Sequence, residues 1–214
     1  MHGTKTVNEI DARGGETRPM NIDGRRAQDS PRQSAGAIVW FTGLSGAGKT
    51  ALCCALAERL RSRGCAVEVL DADDLRRTLS PDLGYSRKDR EENIRRIASL
   101  AEGLATADVT ILVAAITPYR QMRQELRQRL RNYVEVYVDT PLATCIARDP
   151  KGLYRRALAD EIHSFTGIGD PYEPPLAPDI ACSTDDYGVS ASVDKLTSAL
   201  DRMEKLRRVA YAGC

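Results

Sequence analysis

Residues 43 to 50 have the types and spacing of a phosphate-binding loop. Their sequence, GLSGAGKT, fits the pattern G-x-x-x-x-G-K-[ST]. Gly43, Gly46 and Gly48 lack a Cβ, so successive backbone N–H groups can turn toward phosphate oxygens, and a helix that begins near Lys49 would direct its positive end at the same anion. Lys49 would reach the β- and γ-phosphates of a nucleoside triphosphate, and the Thr50 hydroxyl would be a ligand of Mg²⁺.

The residues on either side of this loop decide whether the match is functional or a glycine-rich turn that fits by chance. Residues 37–41, AIVWF, form a short apolar run typical of a buried strand. After the loop, apolar residues at 52, 55, 56 and 60 fall at helical spacing, and Gly64 can end that helix. A strand, a glycine-rich turn and a helix are the context in which this motif binds phosphate, so we interpret the turn as functional.

A second expected strand, residues 66–70, runs directly into an acidic segment that contains Asp71 and Asp73. In open α/β sheets, ligands bind beyond the carboxyl ends of the strands. These two carboxylates are therefore placed to approach Mg²⁺ and the γ-phosphate, as a base or as a metal partner. The alternative is that they only cap the next helix, as Asp often does.

Ser86 and Asp89 form a capping box for a helix whose apolar positions repeat at helical spacing up to residue 105. Arg90 and Asn93 lie one turn apart on a shared side near the start of this helix. The two side chains could together bind a second anionic ligand, or they could belong to a charged outer face. The sequence pattern leaves both interpretations open.

Alternation of strand and helix patterns continues to the end of the chain. The predicted strands are residues 37–41, 66–70, 109–116, 134–138 and 180–182. The Thr117-Pro118 pair predicts a helix start with Thr117 as N-cap, and Thr140-Pro141 repeats that signal before a helix of about eight residues. A terminal helix is expected over residues 189–208.

Between these elements, residues 148–175 lose the regular pattern and fill with Gly, Pro and basic residues. We expect a mobile cover here. Closing over the site, such a cover would exclude water from a phosphoryl transfer that otherwise leaks into hydrolysis.

Composition limits the classes of protein that this chain can represent. With 214 residues and 42% hydrophobic residues it suits a single α/β domain. The net charge of +1 gives no indication of nucleic acid or an anionic membrane as main partner. No apolar run has the length of a membrane span and the N-terminus lacks the apolar core of a signal peptide, so we expect a soluble cytoplasmic protein.

Two further features of composition concern the cysteines and the N-terminus. The six cysteines have no C-x-x-C spacing and mostly fall in apolar patterns, which indicates reduced core thiols and not a disulfide frame or a zinc site. Residues 1–35 contain few large apolar side chains and cannot offset their ordering entropy by burial. We expect a disordered extension there, or a segment that partly docks on the domain or on a second subunit, followed by the domain proper over residues 36–208.

With these residues in view, the chain resembles the adenylylsulfate kinase (APS kinase) family from about residue 36 to 200. Beyond the phosphate loop, the resemblance is carried by more specific motifs. They are LDADDLR (70–76), DLGYS (82–86), DREENIRR (89–96), ITPYR (116–120), VDTPL (138–142), RDPKGLY (148–154), FTGI (165–168) and PYE (171–173).

The resemblance implies a fold, an activity and a set of partners. The fold is an α/β, P-loop kinase-type three-layer sandwich with a mostly parallel five-stranded sheet and a mobile lid. The activity is transfer of the γ-phosphate of MgATP to the 3′-hydroxyl of adenosine 5′-phosphosulfate. ATP and Mg²⁺ would be the cofactors, a small nucleotide the partner, and a homodimer the assembly.

Carried over by position, the resemblance also assigns roles. Asp73 would be the base or metal partner at the 3′-hydroxyl, and Lys151 in the lid would help neutralise the transferring phosphoryl group. Arg forks suit the phosphosulfate, and aromatic faces suit the adenine, which Tyr85 and Phe165 would sandwich. The catalytic set is Asp73, Lys49, Asp71, Thr117 and Lys151; the metal ligands are Thr50 and Asp73; the nucleotide-binding set is Gly43, Leu44, Ser45, Gly46, Ala47, Gly48, Lys49, Thr50 and Arg148; the acceptor-binding set is Arg76, Tyr85, Arg90, Asn93, Ile116, Thr117, Phe165 and Ile168.

The chain departs from the family pattern at four of these motif positions. It has Ala72, Asp74, Tyr85 and Thr117 where the family usually has Gly, Asn, Phe and Ser. Asp74 adds a negative charge beside an anionic substrate, which is unfavourable unless it points away or meets a basic group. A kinase for a related 5′-modified nucleotide, such as cytidine diphosphoramidate, would share the same skeleton.

Thr117 stands where the family has a serine that has been regarded as a phosphorylated intermediate. One interpretation makes its hydroxyl a phosphate carrier, which requires a nearby base. The other makes it the cap of the helix begun by Pro118, with phosphate passing directly from ATP to the acceptor. We favour the second, because the Thr-Pro signal explains the residue without chemistry.

A hypothesis from another class is a nucleotide switch or a non-catalytic ATP-binding module. The chain has no Asn-Lys-x-Asp guanine motif. A pure binding module would need neither the second anion site nor Lys151, so the pattern favours a kinase.

Overall fold

A computed structural model describes residues 36–105, 109–185 and 188–212, the last helix with its side chains up to residue 203. The predicted extension over residues 1–35 lies outside the described residues. The elements in chain order are β1 Ile38–Thr42, α1 Lys49–Arg61, β2 Val67–Asp71, α2 Ala72–Thr78, α3 Arg87–Leu104, β3 Thr110–Ala114, α4 Arg120–Arg129, β4 Tyr133–Val138, α5 Leu142–Arg148, α6 Leu153–Leu158, β5 Ile180–Cys182 and α7 Gly188–Ala212.

The strands form one five-stranded sheet in the order β2-β3-β1-β4-β5, and every neighbouring pair is parallel. β1 lies at the centre, where Trp40 is in register with Val113 of β3 and Glu135 of β4. From β1 the chain passes to β2 and β3 on one side of the central strand, and later to β4 and β5 on the other side. In such sheets ligands bind where the strand order reverses, beyond the carboxyl ends of the strands. The α/β prediction is confirmed, and the sheet is wholly parallel.

Side-chain alternation along β1 separates two cores. Val39 and Phe41 pack with α1, α5, α6 and α7, whereas Ile38 and Trp40 pack with α3 and α4. A strand buried on both faces in this way explains the continuous apolar run in its sequence. The result is the predicted three-layer arrangement of helices, sheet and helices.

Helix starts match the sequence signals in one case and differ in two. Ser86 is the N-cap of α3, where its hydroxyl oxygen accepts from the Asp89 backbone N–H, as the capping box predicts. The predicted start at Thr117-Pro118 is wrong, because α4 begins at Arg120. The free N–H of Arg120 is bound at 2.7 Å by the carboxylate of Glu173, a residue distant in sequence that local pattern cannot reveal.

The second predicted Thr-Pro start also differs. Pro141 is itself the N-cap residue of α5, and the Thr140 hydroxyl donates instead to the carbonyl of Ala47 in the phosphate loop, at 3.0 Å. Within the loosely patterned stretch 148–175, the structure contains a short helix, α6, that was not predicted. The mobility of this stretch stays a prediction.

The cysteines follow the expected pattern only in part. Cys53, Cys145 and Cys182 are buried free thiols, but Cys54 and Cys65 are exposed, so these two are not core residues. Cys214 lies outside the described residues. In the described part of the chain, no helix combines the length and apolarity needed to cross a bilayer.

Candidate active site

The phosphate loop lies between the carboxyl end of β1 and the first turn of α1, and two of its glycines are required by geometry. Gly43 has φ 150°, and a Cβ there would lie 2.7 Å from the carbonyl oxygen of Val138. Gly48 has φ 99°, and its Cβ would meet the Thr184 side chain at 2.8 Å. These close approaches let the loop wrap tightly with its backbone turned inward.

Lys49 begins α1 and turns its side chain back into the loop. Its ammonium group donates to the carbonyl oxygens of Gly43, at 3.0 Å, and Leu44, at 2.7 Å. Burial lowers the pKa of Lys49 to about 8, and the nearby carboxylate of Asp73 opposes this shift. The ammonium group is thus held within the loop, bound to backbone carbonyls.

Thr50 and Asp71 bring a hydroxyl and a carboxylate together. The Thr50 hydroxyl donates to Asp71 Oδ2 at 2.6 Å. The other oxygen of Asp71 accepts from the backbone N–H of Asp73 at 2.8 Å, which caps α2. Asp71 does cap the next helix, and whether it also serves the metal stays a prediction. Since α2 begins at Ala72, Asp73 lies in a helical turn and not on an extended exit.

Asp73 forms an ion pair with Lys151, which connects the end of β2 to the turn before α6. Both side chains are exposed. The neighbouring Asp74 points elsewhere and pairs with Arg77 at 2.8 Å, one turn along α2. Its negative charge is therefore compensated by the guanidinium of Arg77.

These oxygens fit Mg²⁺ in the way that a nucleotide-bound magnesium is usually held. Mg²⁺ takes one or two protein oxygens and completes its shell with phosphate and water. The contact between Thr50 and Asp71, with Asp73 adjacent, offers such a donor set. Among the side chains described, those of residues 36–105, 109–185 and 188–203, no group of three or more His, Cys, Asp or Glu could by itself hold a metal ion.

Arg148 lies on the opposite side of the phosphate loop. Its guanidinium donates to the Thr184 hydroxyl at 2.8 Å, and that hydroxyl donates in turn to the carbonyl of Ala47 at 2.9 Å. The residue also forms an ion pair with Asp185 at 3.5 Å. Arg148 thus lies beside the phosphate loop, and its role in nucleotide binding stays a prediction.

Arg90 and Asn93 project from the start of α3. Arg90 donates to the backbone carbonyl of Tyr85 at 2.8 Å. It also donates to two groups in the loop between α6 and β5, the Ser164 carbonyl and the Thr166 hydroxyl. Asn93 is 5% exposed, and its Oδ1 atom has no hydrogen-bond partner among the described residues. A buried acceptor atom without a partner is unfavourable in itself. The role of Asn93 in binding stays a prediction.

The aromatic residues of the expected acceptor site have separate surroundings. Tyr85 is 66% exposed, and the guanidinium of Arg76 lies 4.2 Å from the centre of its ring. Phe165 is buried and meets the ring of Tyr154 edge-on, at 4.9 Å between centres. The Tyr154 hydroxyl donates to the Ser45 carbonyl at 2.9 Å, so the Phe165 side is connected to the phosphate loop.

Ile116 and Thr117 follow β3 at the same edge of the sheet. The Ile116 carbonyl accepts from the Thr42 hydroxyl at 2.7 Å. Thr117 is 1% exposed, and its hydroxyl oxygen accepts from the indole N–H of Trp40 at 2.8 Å. Ile168, in contrast, is 37% exposed.

Sequence reasoning missed several residues that shape this site. Thr184 supports the phosphate loop, and the only available signal was its place just after a predicted strand. Asp170 accepts from the Tyr119 hydroxyl at 2.7 Å and lies 3.7 Å from Arg90. These contacts join segments about fifty or more residues apart, which no local pattern reports.

A phosphate loop after the central strand of a parallel sheet, with carboxylates beyond the next strand along the chain, is the arrangement of P-loop nucleotide-binding proteins, the P-loop kinases among them, and this chain has it. The sequence profile of the family described as Adenylylsulphate kinase matches residues 35–183. The chain belongs to the adenylylsulfate kinase family.

Individual relatives agree with this assignment. The adenylyl-sulfate kinase of Synechococcus sp. (strain JA-3-3Ab) is 53% identical over 77% of this chain and 94% of its own length. That of Chloroflexus aurantiacus is 49% identical over 85% of this chain and 97% of its own. Among solved structures, the APS kinase of Mycobacterium tuberculosis in complex with AMPPNP and APS has 40% identity and a TM-score of 0.76, over 78% of this chain and 98% of that one.

Proposed function

We propose that this protein transfers the γ-phosphate of MgATP to the 3′-hydroxyl of adenosine 5′-phosphosulfate. The observation that carries the proposal is the contact between the phosphate-loop hydroxyl of Thr50 and the carboxylate of Asp71, with Asp73, close by in sequence, paired with Lys151. Arg90 and the buried Oδ1 atom of Asn93, which has no hydrogen-bond partner among the described residues, support an acceptor site on α3. The relatives described above bear the name of this activity.

On the donor side, the loop backbone and the N-terminus of α1 would hold the phosphates, and Lys49 would move from the Gly43 and Leu44 carbonyls onto the β- and γ-phosphates. Charge on the phosphate would restore the ordinary pKa of Lys49. Phosphoryl transfer depends mainly on such positioning and charge stabilisation.

Mg²⁺ would be held by Thr50, with Asp71 or Asp73 on its outer side, and would supply charge neutralisation between the phosphates. Because the Thr50 hydroxyl donates its proton to Asp71, the lone pairs of its oxygen stay available to the metal. The Asp71 carboxylate would remain fixed by its bond to the Asp73 backbone.

On the acceptor side, Asp73 would accept the proton of the 3′-hydroxyl, and Lys151 would turn from Asp73 to the transferring group. Arg90 and Asn93 would bind the phosphosulfate, with Arg76 in support. Tyr85 and Phe165 would contact the adenine. Closure of residues 148–170 would exclude water.

The position of Asp74 favours this acceptor over the cytidine alternative. Asp74 is paired with Arg77 on the exposed side of α2, so it does not add an uncompensated charge where the phosphosulfate would bind. The reason to look for a different nucleotide is thereby weakened.

An acceptor screen with labelled ATP tests the proposal. Adenosine 5′-phosphosulfate should yield a labelled product at least about a hundredfold faster than ATP is hydrolysed without acceptor, because transfer to a bound hydroxyl benefits from proximity that water lacks. Cytidine diphosphoramidate is the matched competitor. Preference for it would establish the alternative, and a rate independent of any acceptor would indicate a binding module.

We also propose the finer features of assembly and place. A homodimer is the commonest symmetric assembly. An APS kinase from Thiobacillus denitrificans is described as hexameric; it is 32% identical to this chain, with a TM-score of 0.58, over 82% of this chain and 31% of that chain. Free buried thiols suit a reducing cytoplasm. The catalytic domain would span residues 36–208, with residues 1–35 as a disordered extension. Light scattering of the full chain and of a variant that begins at residue 36, with activity assays of both, tests the assembly and the boundary.

A further inference from the structure

Thr117 has an unusual backbone conformation for its residue type. Its φ angle is 46°, in the left-handed region that β-branched residues rarely adopt. Such conformations persist only where surrounding contacts impose them, and they cluster at functional sites. The contacts that impose this one can be identified.

Two buried donors hold Thr117 from opposite sides. The indole N–H of Trp40 donates to its hydroxyl oxygen at 2.8 Å, and Arg123 Nη1 donates to its carbonyl oxygen at 2.6 Å. Trp40 belongs to the central strand and is 0% exposed, and Arg123 on α4 is 3% exposed. Thr117 is therefore fixed between the sheet and α4.

Arg123 extends the same hold to a second segment. Its Nη2 atom donates to the carbonyl oxygen of Glu173, and its Nε lies 3.0 Å from the carboxylate of Glu135 on β4. The rigid guanidinium fork donates to two carbonyls and pairs with a carboxylate, from three parts of the chain, which a lysine ammonium cannot do with the same geometry.

The segment around Glu173 is attached to the Thr117 loop by its own contacts as well. The Glu173 backbone N–H donates to the Pro118 carbonyl at 2.8 Å. The Tyr172 hydroxyl lies 2.9 Å from that of Thr42, the last residue of β1. Phe165 and Ile168 stand just before this segment in the chain, so its position sets where the acceptor-side loop ends.

A buried ion pair such as Arg123 with Glu135 is weak evidence for stability, because removal of two charges from water offsets their attraction. We propose that Arg123 is a positioning residue for the phosphoryl acceptor. It fixes the strained Thr117 and the Tyr172-Glu173 segment in one geometry and thereby shapes the acceptor side of the site. The kinetic part of this inference rests on the proposed function.

Two variants test the inference, and a third is their control. Arg123→Met with Glu135→Met replaces the pair by apolar side chains of similar length and leaves no buried charge, since Arg127 keeps its pair with Asp179 at 2.8 Å. Arg123→Lys retains the charge but not the fork. Arg127→Lys is the matched control, because Arg127 also pairs with Glu135, at 3.1 Å, yet forms no hydrogen bond to Thr117 or Glu173.

We expect Arg123→Lys and the double variant to raise the KM for adenosine 5′-phosphosulfate by about tenfold or more, with the KM for ATP changed less than about twofold, because a displacement near 1 Å at a site can cost up to a hundredfold. The control should behave as the unmodified protein. Unfolding temperatures, measured alongside, should be lower in both Arg123 variants, because two carbonyls lose their donor, and should show that every variant is folded under the assay conditions.

Trp40 supplies a readout that does not depend on activity. It is the only tryptophan in the sequence, and its indole N–H is bound to Thr117. The ¹⁵N-labelled indole resonance should shift and exchange faster with solvent in both Arg123 variants, but not in Arg127→Lys.

Unchanged kinetics in a folded double variant would overturn the proposal, as would equal increases in both KM values or a shifted indole signal without a kinetic effect. If the unmodified protein ignores adenosine 5′-phosphosulfate, the proposed function fails instead. The indole resonance alone then decides whether Arg123 fixes Thr117.

Discussion

The phosphate loop and the acceptor side of this site differ in the groups that form them, backbone in the first and side chains in the second. The loop is formed by backbone, with glycines held against Val138 and Thr184 by close approach. The acceptor side is formed by long side chains, above all Arg90, that hold loops through their carbonyl groups. A backbone site changes little when one neighbouring side chain changes, whereas a side-chain site can be altered residue by residue. We therefore expect substitutions of single side chains to change the binding of the phosphate donor little and the specificity for the acceptor more.

The largest expected effect comes from a substitution on the donor side, in the phosphate loop. Lys49→Ala should lower kcat/KM by on the order of a thousandfold or more, because charge stabilisation is the main contribution of the protein to phosphoryl transfer. Steady-state kinetics with saturating acceptor measure it. Lys195→Ala, an exposed lysine on α7, is the control, and a near-normal rate for Lys49→Ala would contradict the kinase mechanism.

The next largest effect concerns Asp73, which we place between the phosphate donor and the acceptor. Asp73→Asn should lower kcat by roughly a hundredfold, since a positioned base contributes at least that much to proton removal. Asp74→Asn is a matched control one residue away, because Asp74 is exposed and pairs only with Arg77. Comparable losses in both variants would show that the charge of the segment matters, and not the position of Asp73.

A smaller effect should separate the acceptor from the donor. Asn93→Ala should raise the KM for adenosine 5′-phosphosulfate by roughly tenfold to a hundredfold, the worth of a hydrogen bond to a charged group, and leave the KM for ATP unchanged. Because Oδ1 has no partner to lose within the described residues, a fall in the unfolding temperature would reflect lost packing and not the loss of a hydrogen bond to this atom. Arg95→Ala, on the exposed face of α3, should change neither KM. Equal changes in both KM values of Asn93→Ala would place Asn93 in general folding.

Proton uptake should reveal the burial of Lys49. Because burial lowers the pKa of Lys49 to about 8, its ammonium group loses its proton as the pH rises through 8, whereas bound phosphate favours the charged form. ATP binding should therefore take up a proton above pH 8, and the affinity should fall by up to about tenfold per pH unit there. Calorimetry in buffers of different ionisation enthalpy measures the uptake. A constant affinity from pH 7.5 to 9.5 would contradict the lowered pKa.

The comparison of the two sides also explains what the sequence could predict. The phosphate loop is local: a strand, three glycines and a helix start lie within one short segment, and the structure has them where the pattern indicates. The start of α4 is different, since Glu173 binds the Arg120 N–H from more than fifty residues away. Composition and periodicity carry no information on such contacts. For the same reason the support of Ala47 by Thr184 was not foreseen, although the acidic exit of β2 was.

The smallest effect on rate should come from Thr117. Its hydroxyl neither caps α4 nor faces solvent, but is 1% exposed and bound by the Trp40 indole at 2.8 Å. Direct transfer from ATP to the acceptor is the mechanism that this burial favours over a phosphothreonine intermediate. Thr117→Ala leaves the indole N–H without its partner and should destabilise the protein by about 1–3 kcal/mol, while kcat falls less than about tenfold. Thr117→Ser is the matched control, because it keeps the hydroxyl and relieves the branched side chain at φ 46°. Chemical denaturation measures the stability, and mass spectrometry of protein quenched during turnover searches for phosphate on residue 117. Phosphothreonine there, with a stable but inactive Thr117→Ala variant, would overturn direct transfer.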